Sequence, residues 1–448
     1  MLIIPATVAI YGLLLYWAYT AFIVPNYQYM GYTFVDPNLG VLLLNWAFAS
    51  IAAAAIPKAF SQVSALVLWL IYARVIAPII LMSPYIGYLD DNNQLYLATA
   101  LTLTFCTVCI GIRRAPKSLG MSVSYTSLTA VLICISLVTY LIIFATLGFQ
   151  FRFVDLLSVY DVRDEWNAST QGSGIIHYLR SWQASAVNPL VFALGVYQRR
   201  YWLSAIAIFG QYLLYTSTGF KGTLFLILAW LLIALLLRVR KLKIDGLILV
   251  WGMMGLILIT NFLDATSNSL FWSSLFTRRF LVTPTMLTNA YVDYFDENPK
   301  AYLGHSIFSN FVDYPYEQSI PRVVGGYLGF PEMAANTNLF ADGFANFGWL
   351  GIFIVGVLLL FILRLADRAS VGLPILVSGI VLTGPAMNLS NSGILTTLLT
   401  HGLILAIILL AITPRPSSEN QENDKSQSDK ALPDSKTRTQ LLKEQAID

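Results

Sequence analysis

Apolar segments of about 20 residues recur along most of this chain, separated by short polar connections. A helix needs about 20 such residues to cross a hydrocarbon core of roughly 30 Å. The pattern therefore predicts an all-α, polytopic integral membrane protein of about twelve transmembrane helices. We expect these helices at approximately residues 2–24, 39–57, 62–84, 94–112, 124–148, 177–197, 201–217, 222–238, 244–262, 337–363, 371–388 and 393–413.

Two stretches interrupt this pattern. Between about residues 263 and 336 the apolar periodicity lapses, which predicts one large loop within a single transmembrane domain of residues 1–413. After Thr413 the composition changes to Pro, Ser, Asn, Gln, Asp and Lys, with too little apolar surface to offset the entropy of ordering. Residues 414–448 are therefore predicted to be a disordered tail.

Composition supports the membrane interpretation. The chain is 57% hydrophobic and 11% charged, whereas soluble domains contain about 25% charged residues. The net charge of +3 and the lack of a basic tract argue against nucleic-acid binding. The three histidines lie far apart, without a metal-ligand spacing, and we expect neither a metal nor another cofactor.

Lys and Arg predict the orientation, because cytoplasmic connections carry an excess of both. They fall on every second predicted connection: Lys58, Arg113, Arg114, Lys117, Arg199, Arg200, Arg238, Arg240, Lys241, Lys243, Arg364 and Arg368. This face is therefore expected to be cytoplasmic, with both termini inside and the long loop outside.

A few cations break this rule on the opposite face: Arg152, Arg163, Arg180, Lys221, Arg278, Arg279, Lys300 and Arg322. Collected at one membrane surface, such cations suit a diphosphate or another anionic head group. Arg180 stands out because a charge within a span costs about 2.5 to 3.5 kcal/mol on insertion scales. For each cation the alternative is neutralisation of a carboxylate such as Asp293, or an interfacial position in the case of Lys221.

Other polar residues are candidates for a site. Asn338, Asp342 and Asn346 are spaced by four and form one polar stripe on a predicted helix. That stripe must face other helices or a water-filled cavity. Its side chains either make structural hydrogen bonds or line a substrate site. His305, in the long loop, has the chemistry of a general base, although a lone loop histidine is also compatible with no role.

Several of these motifs occur together in one known family. The chain resembles, over nearly all of residues 1–413, the bacterial O-antigen or oligosaccharide repeat-unit polymerase family, the Wzy type. The elements that carry the resemblance are Gly219–Lys221, Arg278–Pro284, Tyr291–Phe295 and the segment 336–348, in this order along the predicted topology. Lys221 departs from the family pattern, which often has Arg at this position.

The resemblance implies a metal-independent membrane glycosyltransferase with a GT-C-like architecture in the bacterial inner membrane. Its donor would be an undecaprenyl-diphosphate-linked oligosaccharide, and its acceptor a sugar hydroxyl of a second lipid-linked repeat unit. A chain-length regulator and a flippase are the expected protein partners, beside membrane lipid. The candidate catalytic residues for this chemistry are His305, Arg278, Arg279 and Asp293, and the candidate substrate-binding residues are Arg180, Lys221, Arg322, Tyr291, Tyr294, Asn338, Asp342 and Asn346.

Two alternatives remain open at the level of the sequence. An O-antigen ligase shares donor and architecture but transfers the glycan to a lipid A core. A flippase or transporter of lipid-linked glycans belongs to a different class and predicts charges around the membrane midplane. Here the charges favour the predicted outer surface.

The orientation leads to a first prediction. In intact spheroplasts, Asn298→Cys should react with a membrane-impermeant thiol reagent, whereas Lys241→Cys should not. The measurement requires a background lacking Cys106, Cys109 and Cys134, which lie in apolar runs. Labelling of the 241 variant alone would reverse the predicted orientation.

Overall fold

The computed structural model describes residues 2–148, 159–238, 246–306 and 308–415. Across this part of the chain the secondary structure is helical, without strands. Seven helices are long and apolar enough to cross a membrane: Ile3–Met30, Val63–Ile86, Asp91–Gly111, Tyr125–Leu147, Lys221–Arg238, Leu247–Ser267 and Leu339–Ser370. The protein is therefore a helical, polytopic membrane protein.

We number the helices in chain order. They are α1 Ile3–Ala18, extended by helical turns to Met30, α2 Leu39–Ala55, α3 Val63–Ile86, α4 Asp91–Gly111, α5 Tyr125–Leu147, α6 Val159–Ser169, α7 (Gly174–Trp182, Gln183–Val187 and Asn188–Tyr197), α8 Tyr201–Thr218, α9 Lys221–Arg238, α10 Leu247–Ser267, α11 (Ser273–Val282 and Thr283–Glu297), α12 Ile320–Tyr327, α13 Leu339–Ser370, α14 Ile375–Leu389, α15 Ile394–Leu399 and α16 Leu403–Ile412.

Helix α3 lies at the centre of the bundle. Its apolar window is completely buried, and it packs against α1, α2, α10, α11, α13 and α14. Continuous apolar sequence is what a helix surrounded by other helices requires, because no face of it meets water. The buried core extends outwards from α3.

Each of the twelve predicted apolar segments is helical over most of its described residues, and two of them are interrupted. In α13 the helix is broken at Phe347 and Gly348, whose backbone dihedral angles are not helical. The segment 393–413 divides into α15 and α16 at residues 400–402. Trp182 Nε1 donates a hydrogen bond to Leu399 O (2.8 Å). Gly402 then adopts a left-handed φ of 78° and packs so closely on α7 that an added Cβ would lie 3.2 Å from Trp182.

The long connection between residues 263 and 336 is largely helical. Its main element, α11, begins with a π-helix over Ser273–Val282 and continues as an α-helix to Glu297. Its buried polar groups pair with neighbouring helices: Asn289 Nδ2 donates to Ser83 Oγ at 2.9 Å, and Asn338 Nδ2 donates to Thr288 Oγ1 at 2.7 Å. Because these positions are polar, hydropathy alone does not reveal that α11 packs in the bundle.

Connections with Lys and Arg meet at one end of the bundle, which we call the basic end. There Arg364 Nη1 donates to Gly111 O (3.0 Å) and Arg368 Nε donates to Lys117 O (3.3 Å). The other connections meet at the opposite end, where Asn93 Nδ2 lies 3.4 Å from Asp296 Oδ2. These contacts place the connections after α4 and after α13 side by side at the basic end.

Candidate functional site

Four cations from four helices converge around two aromatic rings at the end of the bundle opposite the basic end. This cation cluster consists of Arg163 on α6, Arg180 on α7, Lys221 on α9 and Arg279 on α11, with Phe220 and Tyr160. The guanidinium carbon of Arg180 lies 4.1 Å from the centroid of Phe220, and that of Arg163 lies 4.8 Å from it. Such contacts hold cations that have no opposite charge nearby.

The turn between α8 and α9 builds the centre of the cluster. Gly219 ends α8 in a left-handed conformation (φ 67°). An added Cβ there would lie 2.6 Å from Val159 O and 2.8 Å from Arg163 N, so only glycine lets α6 approach this turn. Arg163 Nη2 donates to Gly219 O at 3.2 Å, which fixes Phe220 and Lys221 beside α6.

Tyr160 reports the local electrostatic field. Lys221 Nζ lies 4.7 Å from the centroid of its ring. Burial raises the pKa of the phenol, but the positive charges of Arg279, Lys221 and Arg163 outweigh burial and lower the pKa below its ordinary value. The cluster therefore stabilises negative charge on a group placed within it.

Within the part of the chain that the structure describes, no carboxylate forms an ion pair with the cluster, although Asp164 acts on Arg163 at longer range. The ion pair found there is Arg322–Glu332, and Nε of Arg163 and of Arg180 is buried without a hydrogen-bond acceptor among these residues. Two sequence neighbours of interest, Arg152 and Asp155, lie outside the described residues. A buried N–H group of a cation is costly to leave without an acceptor, and an anionic ligand would satisfy these two Nε groups.

The adjacent residues Arg278 and Arg279 have different environments on the π-helix of α11. Arg279 is exposed and acts on Tyr160. Arg278 is only 7% exposed, its guanidinium carbon lies 4.3 Å from the ring centroid of Tyr27, and its Nη2 donates to Ser274 Oγ at 2.8 Å. Arg279 therefore belongs to the cation cluster, while Arg278 packs beside it against α1.

A second group, which we call the aromatic chain, connects α11 and α12 with the segment before α12. Ring contacts of 5.4 to 6.3 Å join His305, Tyr314, Tyr316, Tyr294 and Tyr327 in this order. At its far end the Tyr327 hydroxyl donates a hydrogen bond to Asp293. Tyrosine faces arranged in this way offer stacking surfaces for a sugar.

The two candidate bases, His305 and Asp293, differ in their hydrogen-bond partners. Partial burial lowers the pKa of His305, so its imidazole is neutral at pH 7 and can accept a proton. Asp293 instead accepts the hydrogen bond from Tyr327, whose pKa is raised by burial and by this contact. His305 is therefore the freer acceptor of the two.

The polar stripe on α13 is satisfied mainly by the protein itself. Asn338 caps the helix through its Oδ1, which accepts from Phe340 N at 3.0 Å. Asn346 Oδ1 accepts from Leu303 N at 2.7 Å, and this contact anchors the segment next to His305. Both asparagine side chains therefore make structural hydrogen bonds to the backbone, which was one of the two roles considered for the stripe.

The remaining predicted residues lie elsewhere. Tyr291 is buried and donates to Ala335 O at 2.9 Å, and Asp342, which is partly buried, faces Gly393. Arg322 pairs with Glu332 at 3.4 Å, with side-chain exposures of 48% and 91%. A surface pair of this kind contributes little to stability, and it is separate from the contacts of the cation cluster.

Sequence reasoning missed the aromatic centre of the cluster, and it gave little weight to Arg74, a cation within a predicted span, because no adjacent residue offers it a partner. Phe220 is apolar and drew no attention as a site residue, whereas Tyr160 precedes Arg163 by one helical turn, a spacing that indicates contact between the two side chains. Arg74 on α3 is buried, has its guanidinium carbon 5.1 Å from the centroid of Phe280, and reaches towards Met387 O at 3.5 Å. Its partners are distant in sequence, so no local pattern indicates them.

Comparison with family models, with curated proteins and with solved structures found no match for this chain. Fold and composition define its class as a helical, polytopic membrane protein. The geometry of the cation cluster and of the aromatic chain is therefore the basis for any statement about function.

The field at Tyr160 leads to a second prediction. In a spectroscopic titration, the difference in phenolate absorbance between wild type and Tyr160→Phe should have its midpoint below the usual value of about 10. Arg279→Gln should raise that midpoint by removing a positive charge, whereas Arg322→Gln should leave it unchanged. A midpoint at or above the ordinary value in the wild type would contradict the assigned field.

Proposed function

We propose that this protein is a membrane glycosyltransferase that polymerises lipid-linked oligosaccharide repeat units. The observation that carries the proposal is the convergence of Arg163, Arg180, Lys221 and Arg279 on Phe220 and Tyr160. A compact group of four cations fits a diphosphate, which carries several negative charges in a small volume. The resemblance to the repeat-unit polymerase family supplies the donor, an undecaprenyl-diphosphate-linked glycan.

In the proposed reaction a sugar hydroxyl of one lipid-linked repeat unit attacks the anomeric carbon of another. A new carbon–oxygen bond forms while the bond from that carbon to the diphosphate oxygen breaks, and the electron pair leaves with the diphosphate. Negative charge on the leaving group grows in the transition state, where fixed cations lower the barrier. The exposed Arg279 and the half-buried Lys221 are best suited to follow this change.

The hydroxyl proton needs an acceptor, and we assign this role to His305. Its neutral imidazole lies at the start of the aromatic chain, 5.8 Å from the ring of Tyr314 by centroid distance. The tyrosines of that chain, Tyr294 among them, would hold the sugars by stacking. Asp293 at the other end would orient the Tyr327 hydroxyl.

We further propose the finer topology: about twelve spans, both ends of the chain in the cytoplasm, and the cation cluster at the periplasmic face of a bacterial inner membrane. This arrangement corresponds to a GT-C-like enzyme that receives its substrate from a flippase and acts with a chain-length regulator. The packing of the basic connections at one end of the bundle supports this orientation. The cation cluster at the opposite end favours a transferase over a transporter with charges at the midplane.

The third prediction tests charge and geometry in the cluster. In a reconstituted assay with purified lipid-linked repeat units, Arg279→Ala and Lys221→Gln should abolish or strongly reduce chain extension, because each removes charge from the leaving-group site. Lys221→Arg should keep most activity, since a point charge suffices there. The matched control is Arg114→Ala, which removes an exposed arginine at the basic end.

Polymer of normal length from Arg279→Ala, Lys221→Gln and their double variant would overturn the proposed site. Arg278→Ala should also lose activity, but it removes contacts with Tyr27 and Ser274, so protein level must be measured beside it.

Analysis of surface glycan from a deletion strain separates the classes of function. A polymerase mutant leaves single repeat units on the core, and a flippase mutant leaves none.

The fourth prediction concerns the general base. His305→Gln should lower turnover by about 10²- to 10⁴-fold with little change in binding of the lipid-linked substrate. Because burial lowers the pKa of His305, the imidazole stays deprotonated to lower pH, and wild-type activity should persist below the ordinary histidine pKa of about 6.5. A variant within about threefold of wild type would remove His305 from the mechanism and favour Asp293 or substrate-assisted chemistry.

A further inference from the structure

A large groove runs along the side of the bundle between α5 and the helices α7 and α8. One end of the groove lies at the basic end. The groove encloses about 1600 Å³, more than the roughly 300 to 1,000 Å³ of a typical small-molecule site. Leu128 and Leu132 of α5 form one wall, and Val191, Leu194 and Ile206 form the other. Helix α5 contacts α6 and the first part of α7, Gly174–Val187, and the groove opens beside the second part of α7, Asn188–Tyr197, and α8.

The walls of the groove determine what fills it. Helix α5 is itself long and apolar enough to span a membrane, so the groove lies at the depth of the hydrocarbon region. Water gains few hydrogen bonds along leucine, isoleucine and valine side chains, whereas hydrocarbon chains lose nothing by lying there. Lipid chains are therefore the occupant that the walls favour.

Three arginines stand at the basic end of this groove. Arg199 and Arg200 form the turn between α7 and α8, and Arg238 ends α9. Arg238 is held in place because its Nη2 donates to Val196 O at 2.8 Å, and its guanidinium carbon lies 5.8 Å from the ring centroid of Tyr201. Among the described residues no carboxylate pairs with the three guanidinium groups.

Arg199 has an unusual backbone conformation, with a φ of 58°. A left-handed conformation is uncommon for a residue with a side chain, and here it reverses the chain directly from α7 into α8. The turn thereby presents two exposed arginines side by side at the mouth of the groove. Paired guanidinium groups match the geometry of a phosphate diester.

We propose that this groove is a binding site for an anionic glycerophospholipid of the leaflet at the basic end. Its acyl chains lie between α5 and the helices α7 and α8, and its phosphate contacts Arg199, Arg200 and Arg238. This site lies at the opposite end of the bundle from the cation cluster and does not depend on the proposed glycosyltransferase activity. A bound lipid would fill the space beside α5. The helix itself is tied to α7 by a hydrogen bond from Gln183 to Ser136 Oγ at 2.9 Å.

The fifth prediction tests the lipid directly. The purified full chain in mild detergent should retain added phosphatidylglycerol in native mass spectrometry and unfold at a higher temperature with it, while phosphatidylcholine of the same chain length should do neither. Arg199→Gln/Arg200→Gln should weaken phosphatidylglycerol binding by roughly fivefold per arginine, the equivalent of about 1 kcal/mol for each basic residue at an anionic lipid surface. Arg114→Gln/Lys117→Gln is the matched control, because it removes two exposed charges from the basic end outside the groove.

A second variant tests the acyl-chain part of the site without changing charge. Ile206→Trp places a larger side chain in the groove and should reduce retention of phosphatidylglycerol, whereas Leu232→Trp, on an exposed part of α9, should not. Equal retention of the two lipids by the wild-type protein would overturn the proposal, as would loss of binding in the control double variant to the same extent. Wild-type lipid selectivity decides the question even if a variant fails to fold.

Discussion

The stacking of two guanidinium groups on the ring of Phe220 is the contact on which the end of the bundle opposite the basic end depends. It joins α6 and α7 to the turn that begins α9, and Lys221 and Tyr160 extend it towards Arg279 on α11. Like charges repel each other at these distances, so aromatic faces and close backbone packing must hold the cluster together. Gly219 makes that packing feasible, because any side chain there would collide with α6. An anion bound among the four cations would relieve their repulsion, and the fold is thus prepared for such a ligand.

The pattern of apolar residues predicted the helices well, because in a membrane a helix satisfies its own backbone hydrogen bonds whatever its neighbours are. The same pattern does not reveal structure that depends on contacts between residues distant in the sequence. Helix α11 contains Thr, Asn and Arg at buried positions, and its polar groups find partners such as Ser83 on α3. The break before α16 depends on Trp182, about 220 positions earlier in the chain. Neither feature leaves a local periodic signal.

Several members of the cation cluster could be named from the sequence, but the grouping of their side chains could not. Cations on the face opposite the basic end were recognisable as exceptions to the positive-inside rule, and Arg180, Lys221 and Arg279 do lie together. The adjacent Arg278 looked equivalent to Arg279 in the sequence. The π-helix gives the two side chains separate environments, one against Tyr27 and one towards Tyr160. Such a division requires the helix geometry, which one sequence does not reveal.

Two kinds of arginine site thus occupy the two ends of this molecule. At the basic end, Arg364 donates to the carbonyl group of Gly111, which ends α4, and Arg368 donates to that of Lys117 in the following connection, so these cations satisfy the protein's own acceptors. In the cation cluster, Nε of Arg163 and of Arg180 is buried without such an acceptor among the described residues. A guanidinium N–H group that has no acceptor gains more from an anionic ligand than one that already donates to a carbonyl group. Positive charge occurs at both ends, and the N–H groups left without an internal acceptor are what suit the cation cluster to an anion.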